Sequence, residues 1–266
     1  MKKQFILLVL MAGVLFSCKD KESDQTMETK VEVEEETTEV EMPNITITPI
    51  SHATFVMDWD GQIIYVDPVG GATAFEGMPE PEVILVTDIH GDHMNKETLQ
   101  ALKNESNFLF APEAVTSQLP DELKPTVTVA NGETATRESL KITAIPMYNI
   151  TEGRLQFHEK GRGNGYVLEK DGYRIYISGD TEHIPEMNDL KNINKAFLCM
   201  NLPYTMDIDQ ATNAVLSFTP DEVIPYHYRG QDGFQDVEKF KEMVNGVNQN
   251  IEVTLMDWYP EKKSDS

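Results

Sequence analysis

The segment Glu82-Val83-Ile84-Leu85-Val86-Thr87-Asp88-Ile89-His90-Gly91-Asp92-His93 decides how this chain is read. Its apolar half predicts a short strand buried on both faces. The strand breaks into a polar loop that packs Asp88, His90, Asp92 and His93 into six residues, with Gly91 giving the backbone room to turn. Imidazole and carboxylate together suit divalent zinc, manganese or iron. The plainer reading is a polar cap on a helix starting near Asn95, with Asp92 as its N-terminal acid. Partners elsewhere in the chain weigh against it.

Working outward, two more apolar strands end in the same way. Ile175-Tyr176-Ile177-Ser178-Gly179-Asp180-Thr181 runs into a carboxylate, and Val223-Ile224-Pro225-Tyr226-His227-Tyr228 into a histidine. Strands are also expected at 45–50, 53–59, 62–67, 107–110, 126–129, 141–147, 165–169, 195–200 and 252–255. Asp60-Gly61 and Asp171-Gly172 read as hairpin turns. Helical spacing covers 96–103, 112–118, 207–218 and 234–244. Many strands with interspersed helices predict an α/β fold of two sheets with helices outside.

The order D-x-H-x-D-H, then G-D-T, then P-Y-H resembles the metallo-β-lactamase fold of metal-dependent hydrolases. The likeness is nearest to the branch of ascorbate-6-phosphate lactonase and the N-acyl-phosphatidylethanolamine-hydrolysing phospholipase D. Ser51-His52-Ala53-Thr54-Phe55, Val66-Asp67-Pro68, Gly163-Asn164-Gly165-Tyr166 and Asn201-Leu202-Pro203-Tyr204-Thr205 look like that branch too. The resemblance spans 44–260 and implies a four-layer αββα sandwich with metals at one edge. For the second metal it implies a full ligand set, Asp92, His93 and His227, with Asp180 bridging both ions. For the first it retains His90; Asp88 stands where the family has histidine, and Asn149 is nearest to the place of its third histidine. Two divalent ions are expected, zinc ahead of manganese or iron, since with a bridging hydroxide they neutralise Asp88, Asp92 and Asp180. His52 and Asp67 are expected to orient ligands. Tyr148, Tyr204 and Tyr228 are expected to line the pocket, and Arg229 to meet an anionic substrate. His158 is either a solvated loop residue or a catalytic proton donor beside Asp92 and Asp180. His183 is expected at the surface.

The expected activity is hydrolysis of a phosphodiester, ranked first because two cations can neutralise charge on the phosphoryl oxygens, or of a lactone-type ester, ranked second, in a small or lipid-like molecule, by a metal-activated hydroxide. The alternative is a non-catalytic metal- or ligand-binding lipoprotein.

Of 266 residues, 45 are acidic and 22 are lysine or arginine, giving a net charge of −23. Such a chain has no electrostatic footprint for nucleic acid. Residues 1–17 read as a signal peptide: Lys2 and Lys3 precede an apolar run from Phe5 to Phe16 that is too short to span a bilayer. The run ends at Cys18 in a stretch resembling a lipobox, so a lipid anchor on Cys18 in the bacterial cell envelope is expected. Residues 18–43 hold ten acids and three lysines and read as a disordered tether. Residues 44–260 form the expected domain and 261–266 a tail. Cys199, in the apolar run 196–200, reads as an inert buried thiol.

Overall fold

Alternation of side chains along the first strands sets the layering. The computed structural model describes residues 42–124 and 127–259. The signal segment, the lipobox cysteine, nearly all of the tether and the tail lie outside the described residues.

Strands β1 (Ile45–Ser51), β2 (Thr54–Trp59), β3 (Gln62–Val66), β4 (Val83–Leu85), β5 (Phe108–Ala111) and β6 (Val127–Thr128) form one sheet in chain order. β1 to β3 are antiparallel, and β3 to β6 are parallel. Phe55, Met57, Trp59, Ile64, Val66, Val83 and Leu85 join the core between the sheets. Their chain neighbours Val56, Ile63, Tyr65, Ile84 and Val86 join a second cluster with Leu99 of α1 (Lys96–Leu102) and Val115 of α2 (Glu113–Thr116). Period-two alternation therefore buries this sheet on both faces.

The second sheet contains β7 (Thr134–Arg137), β8 (Leu140–Met147), β9 (Gly163–Lys170), β10 (Tyr173–Ile177), β11 (Lys195–Cys199), β12 (Glu222–Tyr226) and β15 (Glu252–Val253). Its order is β15-β12-β11-β10-β9-β8-β7. A two-stranded ribbon, β13 (Arg229–Gly230) with β14 (Gly233–Phe234), follows β12. Helices α3 (Pro185–Asn188), α4 (Ile208–Phe218) and α5 (Val237–Val247) bring Met187, Ala211, Val215, Phe218, Phe240 and Val244 into the main core. The result is the expected αββα sandwich. Among the described residues, no helix is long and apolar enough to cross a membrane.

Asp60-Gly61 and Asp171-Gly172 are hairpin turns with positive φ at both residues, as a two-residue turn of this hand requires. Helix α5 begins three residues later than its apolar spacing suggests, because the Asp236 side chain caps the Lys239 N–H. Strand β7 was missed by pattern: Thr134-Ala135-Thr136-Arg137 is too polar to read as a core strand and lies at the sheet edge.

Candidate metal centre

Every candidate ligand sits at or beyond the carboxyl end of a strand, the usual place for a site in such sheets. Asp67 follows β3, residues 87–93 follow β4, Asn149 follows β8, Asp180 follows β10, Asn201 follows β11 and His227 follows β12. Two of these turns hold a non-glycine residue in the left-handed region, Asp67 (φ 45°) and His227 (φ 46°), as does His52 (φ 51°) in the turn between β1 and β2. Strain held this way clusters at functional sites. Gly179 (φ 60°) delivers Asp180, and a Cβ there would meet Met147 Sδ at 2.6 Å.

In one half of the site, buried imidazole nitrogens face carboxylate oxygens. His93 is fully buried, and its Nδ1 lies 2.8 Å from Asp67 Oδ2. Asp67 also accepts the Thr87 N–H (2.7 Å) and hydroxyl (2.6 Å). This fixes a proton on Nδ1 and aims Nε2 inward. That Nε2 has no hydrogen-bond partner, yet lies 3.3 Å from Asp180 Oδ2 and 3.9 Å from Asp92 Oδ1. His227 Nε2 lies 3.3 Å from Asp92 Oδ2 and 3.5 Å from Asp180 Oδ1. A cation among these atoms satisfies them together, so Asp92, His93, Asp180 and His227 fit a divalent ion. Burial alone would push Asp180 up, but His227 and His93 beside it hold it well below the carboxylate range. Burial would likewise depress His93; Asp180 and Asp67 outweigh it and raise it well above an ordinary imidazole, so without an ion Nε2 also holds a proton, which a bound cation would displace.

The other half is satisfied by its own residues. Asp88 is fully buried and receives a two-pronged contact from Arg162, Nε to Oδ1 at 3.1 Å and Nη2 to Oδ2 at 2.9 Å. His90 Nδ1 lies 2.8 Å from Asp88 Oδ2, and its Nε2 faces Arg162 Nη2 at 3.5 Å. Nη2 also donates to the Phe157 carbonyl at 2.6 Å. Asp88, His90 and His158 are close enough to share an ion, but both Asp88 oxygens are already met by donors; Nη2 has its two hydrogens on Asp88 and Phe157, so the longer contact leaves His90 Nε2 its lone pair.

Several expectations need correction. Asn149 is not placed as a ligand: its Nδ2 donates to the carbonyls of Arg154 (3.0 Å) and Tyr204 (2.7 Å), which turns Oδ1 to His158 Nδ1 at 3.2 Å. His158 is 2% exposed rather than solvated, and its Nε2 lies 3.3 Å from Asp180 Oδ2. His52 touches no ligand carboxylate. It stands edge-on to the His227 ring at 5.3 Å and contacts Arg229 and the Tyr259 hydroxyl. Burial, with His227 and Arg229 nearby, pushes His52 down to about 4. A cavity of about 350 Å³ opens over the site, lined by His90, Asp92, Phe157, His158, Asp180, Asn201 and Tyr204. Tyr204 is therefore where expected, whereas Tyr148, Tyr228 and Arg229 are not on its wall. The Tyr148 hydroxyl is bonded to Glu186 and Lys160, and the Tyr228 hydroxyl to the Met256 carbonyl. Arg229 is occupied by His52 and lies over the Tyr259 ring. His183 pairs with Asn188 at the surface.

Arg162 and Asn201 were not anticipated. Asn201 Nδ2 lies 3.3 Å from His227 Nε2, and its place after an apolar strand was a usable signal. Glu182 was missed as well. It is buried, accepts the Ile150 and Thr151 N–H groups at 2.7 Å each, and pairs with Arg154, so it pins the segment that carries His158 and Arg162.

A two-sheet sandwich with carboxylates and imidazoles gathered at its strand ends is the architecture of the metallo-β-lactamase class. The chain belongs to the β-lactamase superfamily domain family, which matches residues 46–227. A crystal structure from Parabacteroides distasonis, described as a metal-dependent hydrolase, is 36% identical over 82% of this chain and 94% of that one, with a TM-score of 0.73. A UPF0173 metal-dependent hydrolase of Methanopyrus kandleri is 28% identical over 79% of this chain and 96% of its own. A metallo hydrolase of Ignicoccus hospitalis shares the fold, at 23% identity and a TM-score of 0.69, over 81% of this chain and 96% of that one.

Proposed function

We propose that the protein is a metal-dependent hydrolase of ester-type bonds, acting in the cavity above Asp92, His93, Asp180 and His227. The observation that carries this reading is the buried, unpartnered His93 Nε2 among carboxylate oxygens. A divalent ion held by these residues would supply a water acidified toward a pKa of about 7 and a Lewis acid for the bond under attack. The chain's own residues do the rest. Asp67 locks the His93 tautomer, and Asp180, touched by three imidazoles, balances positive charge. His158, oriented by Asn149, presents Nε2 to the cavity, where it can return a proton to the leaving oxygen. Phe157 and Tyr204, edge to face at 5.2 Å, give the wall an apolar side.

Of the two bond types expected, the cavity favours a lactone or other neutral ester over a phosphodiester. No lysine or arginine stands among its lining residues, and residues 44–266 carry a net −18. An anionic substrate would find only the bound ion to attract it. The likeness to the lactonase and phospholipase branch is compatible with either. The short apolar segment ending at Cys18 supports a lipid-anchored location in the bacterial cell envelope as part of this reading.

The test is steady-state hydrolysis of a lactone panel and a model phosphodiester by metal-loaded protein, with Asp180→Ala as control. We expect metal-dependent lactone turnover, lowered by several orders of magnitude in Asp180→Ala. Phosphodiester turnover alone would reverse the substrate order. Turnover of neither above the control would favour the non-catalytic binding reading.

A further inference from the structure

We propose that the Arg162 guanidinium stands in the place of the first cation, so that the centre takes one metal ion per chain instead of two. The inference rests on reading Asp92, His93, Asp180 and His227 as a metal centre, and goes beyond it in fixing the number of ions.

The contrast between the two halves of the site is the starting point. Around His93 and His227, buried imidazole nitrogens face the Asp92 and Asp180 oxygens at 3.3 to 3.5 Å with no lysine or arginine paired to those carboxylates among the described residues, an arrangement open to a cation. Around Asp88 the cation is already present as a side chain. Both Asp88 oxygens are taken by the Arg162 fork, at 3.1 and 2.9 Å. Such planar, two-point recognition is the strongest contact a guanidinium makes with a carboxylate. Nη2 gives its second hydrogen to the Phe157 carbonyl and stands 3.5 Å from His90 Nε2, beside the nitrogen a first ion would use. The Arg162 side chain is only 16% exposed, and that of Asp88 is 0%. Removing either partner from so buried a pair leaves an uncompensated charge.

Charge is compatible with a single ion: Arg162 already supplies the positive charge beside Asp88, where a further cation would meet the guanidinium in a largely buried cluster. Arg162 is absent from the cavity wall, so it is a positioning residue that fixes Asp88 and His90 and fills the cation's place.

The experiment is metal content by elemental analysis, with calorimetric titration of zinc and manganese into chelated protein, for wild type, Arg162→Met and Arg162→Lys. We expect one tight ion per chain in wild type and in Arg162→Lys, and a second ion in Arg162→Met, where Asp88, His90 and His158 are left without their guanidinium. Two ions in wild type, or a folded Arg162→Met still limited to one, would overturn the inference. Should Arg162→Met fail to fold by circular dichroism, the wild-type stoichiometry decides alone. No ion at all in wild type would instead overturn the reading of the site as a metal centre.

Discussion

At the scale of single residues, Asp67 shows how a buried side chain controls a ligand it never replaces. It accepts two bonds from Thr87 and one from His93, from a left-handed backbone position that asparagine tolerates well. Asp67→Asn should therefore fold, yet weaken metal affinity about 10- to 100-fold; equilibrium titration against a competing chelator measures it, and unchanged affinity would refute this role. Cys199 makes a different point. Burial, with Asp180 nearby, pushes its thiol up to about 11. The folded protein should be inert to a disulfide reagent at pH 8 and react once denatured. The folded state also keeps a proton that the unfolded state releases. Stability from this group is thus whole below about pH 9 and lost as pH rises toward 11, a fall that Cys199→Ala should flatten in denaturant titrations. Asp92, His93, Asp180 and His227 were legible in the sequence because each closes an apolar run at a strand end. Arg162 was not, since its partner Asp88 lies 74 residues away and nothing local in Gly161-Arg162-Gly163 points to it. Asn149 misled because its position matched a ligand, while its amide is consumed by two carbonyls.

At the scale of elements, the strand-to-loop junctions carry the site, and two of them can be tested. Gly179 has a backbone that disfavours side chains and no space for a Cβ beside Met147. Gly179→Ala should cost about 1–3 kcal/mol and displace Asp180, so thermal stability and metal content should fall together; a fall in neither would show that the turn is tolerant. The segment 149–162 depends on Glu182, Arg154 and the Arg162–Asp88 pair. Glu182→Ala should speed hydrogen exchange in that segment while the ion at Asp92, His93, Asp180 and His227 is retained. Unchanged exchange would mean that other contacts suffice. Buried strands were readable because their apolar runs are closed by Asp-Gly turns or by ligands. β7 and the ribbon β13–β14 were not, being short, polar and at edges.

At the scale of the whole molecule, the sandwich brings six strand ends to one edge. The fold class was legible because motif order along the chain matches one architecture. The proposed substrate order and single ion were not, because they rest on the cavity lining and on an arginine distant in sequence. The anchoring reading predicts that Cys18→Ala releases the protein from the membrane fraction, since acyl chains supply an affinity that a −23 chain cannot draw from anionic headgroups; a wild type without an acyl group by mass spectrometry would contradict it. The account's central claim, an ester hydrolase whose activity resides in one metal centre at Asp92, His93, Asp180 and His227, is tested most directly by reloading. Chelated protein is titrated with zinc or manganese while lactone hydrolysis is followed. The account predicts a rate that climbs in proportion to metal, breaks at one equivalent per chain and then stays flat; a rate that climbs to two equivalents, or no hydrolysis at any loading, would contradict it.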